Sequence, residues 1–294
     1  KIAEAHRDYH PSIGLCALGT AARGLHETAM SADQTALILA QRSLDRQMLA
    51  KDTSGGDGMP GDIRDRLELF AERFCDNKNA NGALKALCPT SAPAASINKD
   101  VSYNLTINHP LTIEADFSNT VLDPADPDVI GLANNLFAAR IMPKIPSIVW
   151  EQQSNQDDIL DLRAVIAKRS VAEHSFYSIA AMKMTGTAQA SAKQPYVSAA
   201  LQQLMGIPAT EAAALVGERP SYYAQMELLT KSLYQDPEFY TNLYGKPANV
   251  LRKGAALRAI GLMQKMDRFK NQLRSEARLA DAPRAADRDE PRRA

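Results

Sequence analysis

The chain is poor in aromatic residues, has three cysteines, carries no net charge and lacks any long apolar run. Each shortage excludes something. Aromatics make up 6% of the residues and β-branched side chains are thinly spread, a composition that suits close-packed helices better than a β-sandwich. Lys plus Arg and Asp plus Glu both number 34, so no global field draws the chain to nucleic acid or to an anionic membrane. No apolar stretch approaches the roughly 18–20 residues a spanning helix needs, so no direct membrane span is expected. What remains is 294 residues, 45% of them hydrophobic, enough to build a substantial core. The expected class is mainly α, an irregular multi-helix bundle.

The cysteines carry the first specific expectation. Cys75 and Cys88 flank a short polar connection, 76–82, at a spacing that a helix-turn-helix can close into a disulfide. Chain entropy assigns such a bridge about 3 kcal/mol, and it implies an oxidising compartment. The alternative is a pair of buried thiols in a cytosolic protein, which Cys16, set among Ile13, Leu15 and Leu18, fits equally well. The chain opens on Lys1, which leaves room for an upstream segment such as a signal peptide.

Helical spacing recurs along most of the chain. Residues 1–96 read as an N-terminal helical region: irregular to about Met30, a helix capped by Ser31 or Asp33, a Gly-rich loop at 53–61, then a clasped pair of helices around Cys75 and Cys88. Over 97–120 the period changes. Val101, Tyr103, Leu105 and Ile107 alternate with polar neighbours, as do Leu111, Ile113 and Ala115, which predicts an extended or β-hairpin segment over 101–117. Because an isolated hairpin is marginal in water, it is expected to pack on the helices or to pair with another chain. Residues 121–281 read as a helical bundle, with helices opening at Asp126, Asn155, Tyr222 and Pro247 and shorter ones at 196–205, 210–216 and 237–243. The last helix loses its apolar pattern in its distal half, and the charged residues 282–294 form a tail expected to be flexible.

No motif completes a catalytic, cofactor or metal site. His6 and His10 have an i, i+4 spacing, but Arg7 stands where a metalloprotease needs Glu. Gly14 to Gly19 lacks the Lys of a phosphate loop. Ser96 and Lys99 have the S-x-x-K spacing of penicillin-recognising enzymes, without the K-T-G that should follow. Asn104-Leu105-Thr106 fits the N-glycosylation pattern, a frequent chance match. Asp123, Asp126 and Asp128 suit the opening of a helix better than a calcium loop, given Pro124 and Pro127.

Three blocks, 10–20 (HPSIGLCALGT), 161–172 (DLRAVIAKRSVA) and 240–250 (YTNLYGKPANV), resemble a family of bacterial envelope proteins associated with conjugation-type, type IVB-like secretion machinery. The resemblance implies an exported structural subunit of a large ring-shaped complex, periplasmic and close to the outer membrane. No lipidation cysteine opens this chain.

The residues point to a non-enzymatic scaffold or adaptor within a hetero-oligomer. It would dock through Tyr103, Leu105, Ile107 and Ile113 of the extended segment and through Met266, Phe269 and Leu273 of the last helix. Two rivals differ in kind. One is a hydrolase that gathers Cys16 with His26 or His174; the other is a cytosolic regulator gripping a partner helix with Met182, Met184, Met263 and Met266.

Overall fold

A computed structural model describes residues 13–49, 61–117, 123–137, 148, 151–185, 210, 219–235, 240, 244 and 247–281. Five long or medium helices dominate these residues: α1 (Ile13–Leu49), α3 (Asp126–Phe137), α4 (Gln153–Lys183), α5 (Tyr222–Gln235) and α6 (Pro247–Asp281). A shorter α2 (Gly61–Leu69) runs into a π-helical turn, Phe70–Phe74. Among the described residues there is no named strand, only one parallel bridge between Ile113 and Met184. The fold is mainly α, as expected. The shorter helices expected over 196–205, 210–216 and 237–243 and the tail at 282–294 lie almost wholly outside the described residues.

The core forms where α1 and the second half of α4 pack together, with α3 and the 104–117 segment laid against them. Leu39, Val129, Leu132, Phe176, Ala180 and Met184 are buried at this meeting point. Phe176 stacks edge-to-face on Phe137 at 5.7 Å and on Tyr177 at 5.6 Å. The first half of α4 behaves differently: Leu160 and Val165 are exposed, so the helix does not run through the bundle over its whole length.

Two expectations are corrected here. Helix α1 is 37 residues long and begins at Ile13, not near Ser31. Gly14, Gly19 and Gly24 lower its intrinsic propensity, yet packing holds the stretch: Leu25, Thr28 and Ala32 are buried, and Gln225 of α5 donates to the Thr28 hydroxyl at 3.4 Å.

The second correction concerns 101–117. No hairpin forms; Asn104–Asn108 make a π-helical turn with Ile107 buried, and only the stretch around Ile113 is extended. Both ends of the turn are closed. Ser102 Oγ accepts from the Leu105 N–H at 3.3 Å, and Lys183 Nζ donates to the Ile107 and Asn108 carbonyls, each at 2.7 Å. Lys183 also sits 4.5 Å from the centre of the Tyr223 ring. Replacing Lys183 by Met leaves two carbonyls without their donor, one of them in a buried bond. The expected loss is about 1–3 kcal/mol, checked by denaturant unfolding.

The cysteine clasp closes. Cys75 and Cys88 form a disulfide, with Cα atoms 6.3 Å apart and both residues buried. Cys75 ends the π-helical turn and Cys88 follows a 3-10 segment, Asn79–Ala86, whose left-handed residues Ala80, Asn81 and Gly82 reverse the chain. Around it, Ala92 N–H donates to the Cys75 carbonyl at 2.8 Å and Asn77 N–H to Ser91 Oγ at 3.1 Å. The Lys78 backbone N–H, opposed by partial desolvation and helped by the Ser91 hydroxyl, holds the Asp76 carboxyl below its ordinary range.

Helix α3 packs on this unit at Gly131. A Cβ there would meet the Phe74 ring at 2.9 Å and 3.0 Å and Asp100 Cβ at 3.3 Å. Phe74 is itself buried, so its ring must shift to admit the added methyl. Gly131→Ala is therefore expected to cost about 1–3 kcal/mol through overpacking, read as a lowered thermal midpoint.

Candidate docking interface

Of the residues expected to meet a partner, the structure divides the set. Ile107 and Ile113 are buried in the core, so their side chains are taken up within this chain. Tyr103 and Leu105 lie outside, with Val101 and Leu111 beside them in sequence and also exposed. Met266, Phe269 and Leu273 are all outward-facing on α6.

On α6 the pattern is regular. Leu262 is 66% exposed, Met266 53%, Phe269 53% and Leu273 49%. Their spacing is 4, 3 and 4 residues, the alternation of a coiled-coil seam, and it covers about three turns of a helix that at 1.5 Å per residue spans about 50 Å. Glu276 takes the next seam position and ends the run, while Ala259 and Ala255 extend it upstream with small side chains.

A different face of α6 holds it to the body. Ile260 is buried there, Tyr222 Oη donates to Asp267 Oδ2 at 2.6 Å, and Lys270 Nζ pairs with Asp33 Oδ2 of α1 at 2.8 Å. Burial, together with the hydrogen bond to Asp267, pushes the Tyr222 phenol well above its usual range, so the phenol keeps its proton through the physiological range. Along the seam's free flank stand Arg258, Lys265 and Gln272, all exposed. The seam is thus apolar in the middle and basic at its edge.

Buried charge is used for construction. Asp128, at the opening of α3, accepts from Arg73 Nε at 2.6 Å and Lys99 Nζ at 2.9 Å. Asp126 accepts from the Asp116 N–H at 3.2 Å and the Asp123 N–H at 3.0 Å, and burial raises its carboxyl above the ordinary range. Asp116 pairs with Arg219 at 2.8 Å. On α4, Glu173 accepts from Ser43 Oγ at 2.7 Å and Gln47 Nε2 at 2.9 Å, joining α4 to α1. Of these groups, Asp126 and Asp128 were legible in the sequence as helix-opening residues and Lys99 only as part of the S-x-x-K match; Asp116 and Glu173 were not singled out, although Glu173 stands three residues before Phe176 on an otherwise apolar face.

The residues of the chemical rivals are placed only in part among the described residues. Cys16 lies in α1, but its side chain is outside the described residues; His26 is exposed on α1 and His174 half-buried on α4. Lys99 of the S-x-x-K match is bound to Asp128. Among the described residues no cluster of His, Cys, Asp and Glu has the arrangement of a metal site, and His6 and His10 lie outside them. Of the methionines, Met184 is in the core, Met182 and Met263 are half-buried and Met266 is exposed, so they do not share one continuous exposed stripe. No helix among the described residues is long and apolar enough to cross a membrane.

No protein-family model matches the chain, and neither a curated protein nor a solved structure matches it.

Proposed function

We propose that the protein is a non-enzymatic scaffold or adaptor that joins a larger assembly by accepting a helix on the α6 seam. The observation that carries this reading is the exposure of Leu262, Met266, Phe269 and Leu273 at coiled-coil spacing. A partner helix packing there removes four large apolar side chains from water, at about 25 cal/mol per Å² of apolar surface. Arg258 and Lys265 select the partner's charge: a helix with Asp or Glu beside its apolar stripe gains, and one with Lys or Arg is repelled. A second copy of α6 in parallel register would set Lys265 against Lys270, so a different subunit fits better than self-pairing. Tyr103 and Leu105 offer a second, smaller contact.

The setting proposed is the bacterial periplasm, in an envelope complex of the conjugation-related, type IVB-like secretion class near the outer membrane. Support comes from the buried Cys75–Cys88 disulfide, which suits an oxidising compartment, and from the resemblance of the three sequence blocks. Thiol counting on protein isolated without reductant from an envelope fraction tests the compartment. One free thiol, Cys16, is expected, whereas three free thiols would place the protein in a reducing compartment and remove the envelope reading.

A further inference from the structure

A groove of about 630 Å³ lies between α2 with its π-helical turn and α3. Most of its lining is apolar, with Ile63, Leu67, Phe70 and Val101 beside the buried Phe74. The polar part is Arg66, Asn134, Asn135 and Asp100. Both the volume and this mixture, a largely apolar lining with a few placed polar groups, are those of sites for small organic molecules.

Arg66 is the cation of that lining, and its guanidinium is held in place. Asn135 Nδ2 donates to Asp100 Oδ2 at 2.9 Å and to the Asp100 carbonyl at 3.0 Å, which commits both amide hydrogens. The amide oxygen of Asn135 is thereby fixed as an acceptor, and Arg66 Nη2 donates to it at 3.2 Å. Among the described residues no carboxylate pairs with Arg66, so the other N–H groups of its fork remain for a further acceptor.

Asp100 does not take that place. Its Oδ2 is held by Asn135, its Oδ1 is sealed from solvent, and burial raises its carboxyl above the ordinary range, which lessens the charge it presents. Asp65 and Glu68 of α2 are exposed and stand outside the lining. A guanidinium fork without an anion, set beside apolar surface, is matched by a carboxylate on an apolar body: the fork binds the two oxygens and the body leaves water.

We propose that this groove binds a small amphipathic monocarboxylate, its carboxylate on the Arg66 guanidinium and its apolar body against Ile63, Leu67, Phe70 and Val101. The site is independent of the α6 seam, because it uses different elements and a different ligand chemistry.

The test titrates the full chain with 4-phenylbutyrate, with 4-phenylbutanol as the uncharged analogue and a capped tripeptide, a glutamate between two leucines, as a stand-in for an acidic segment of a partner protein. Binding is read by ligand-observed NMR and calorimetry. 4-Phenylbutyrate is expected to bind at least about fivefold more tightly than the alcohol and to lose that advantage on Arg66→Gln, while the alcohol binds both proteins equally. Ile63→Glu, on an exposed position one turn before Arg66, is expected to abolish binding of the acid without altering the helical circular dichroism; it serves as the second variant should Arg66→Gln unfold. Equal binding of the alcohol, undiminished binding of the acid to folded Arg66→Gln, or no binding of 4-phenylbutyrate would overturn the proposal. Tighter binding of the tripeptide would overturn the small-molecule assignment.

Discussion

Loss of the Cys75–Cys88 bond, by reduction or by the double change Cys75→Ala and Cys88→Ala, is expected to cost about 3 kcal/mol. The bond closes a loop with a sequence separation of 13. In a chain of 294 residues the cost corresponds to a fall in thermal midpoint on the order of 5 °C. The effect spreads because the clasp does not stand alone. Phe74 precedes Cys75 and is buried against Gly131 of α3, and Arg73 pairs with Asp128 at the opening of that helix. Slackening the clasp therefore loosens the seat of α3. Calorimetry with and without reductant measures this directly. A midpoint that moves by less than a degree or so would show that the bond contributes nothing to the folded state.

The second large effect is on association. Met266→Glu with Phe269→Glu places two carboxylates in the middle of the apolar seam, and both positions are more than half exposed. Folding should scarcely change, since surface substitutions of this kind usually stay within about 0.5 kcal/mol. Docking should suffer heavily: each carboxylate is desolvated on a helix-helix contact without a partner, and removing central apolar anchors typically costs about 2 kcal/mol or more apiece. Affinity for an acidic-flanked heptad peptide is expected to fall at least a hundredfold, a fold-change equivalent to about 2.8 kcal/mol. The control is Ser275→Glu, off the seam and exposed, which should leave affinity unchanged. Sedimentation and circular dichroism on the same samples separate lost docking from lost folding.

Much of the helical framework was legible in the sequence because its signals are local. Asp126 with Pro127 marks the opening of α3, Pro247 that of α6, and apolar residues at helical spacing mark α4 and α5. The distal half of α6 was legible as a surface element, since its apolar stripe narrows among Lys, Arg and Asp. What escaped depends on partners far along the chain. The alternation over 101–107 favours a strand locally, but Lys183, 76 residues from Ile107, closes the far end of a helical turn there. The start of α1 was hidden by glycines whose cost is offset by burial of Leu25 and Thr28. Ile107 and Ile113 show the same limit within the candidate interface: their apolar character is plain in the sequence, but only packing shows that the core has already claimed them.

The most direct test of the docking role replaces Phe269 with a photoreactive phenylalanine analogue, and separately Ser275, in cells that make the native assembly. Ultraviolet light is expected to link position 269 to one discrete partner, through a helix carrying Asp or Glu beside its apolar face, while position 275 gives no such product. Failure of position 269 to link to any protein, in cells where the chain is folded and oxidised, would contradict the scaffold reading.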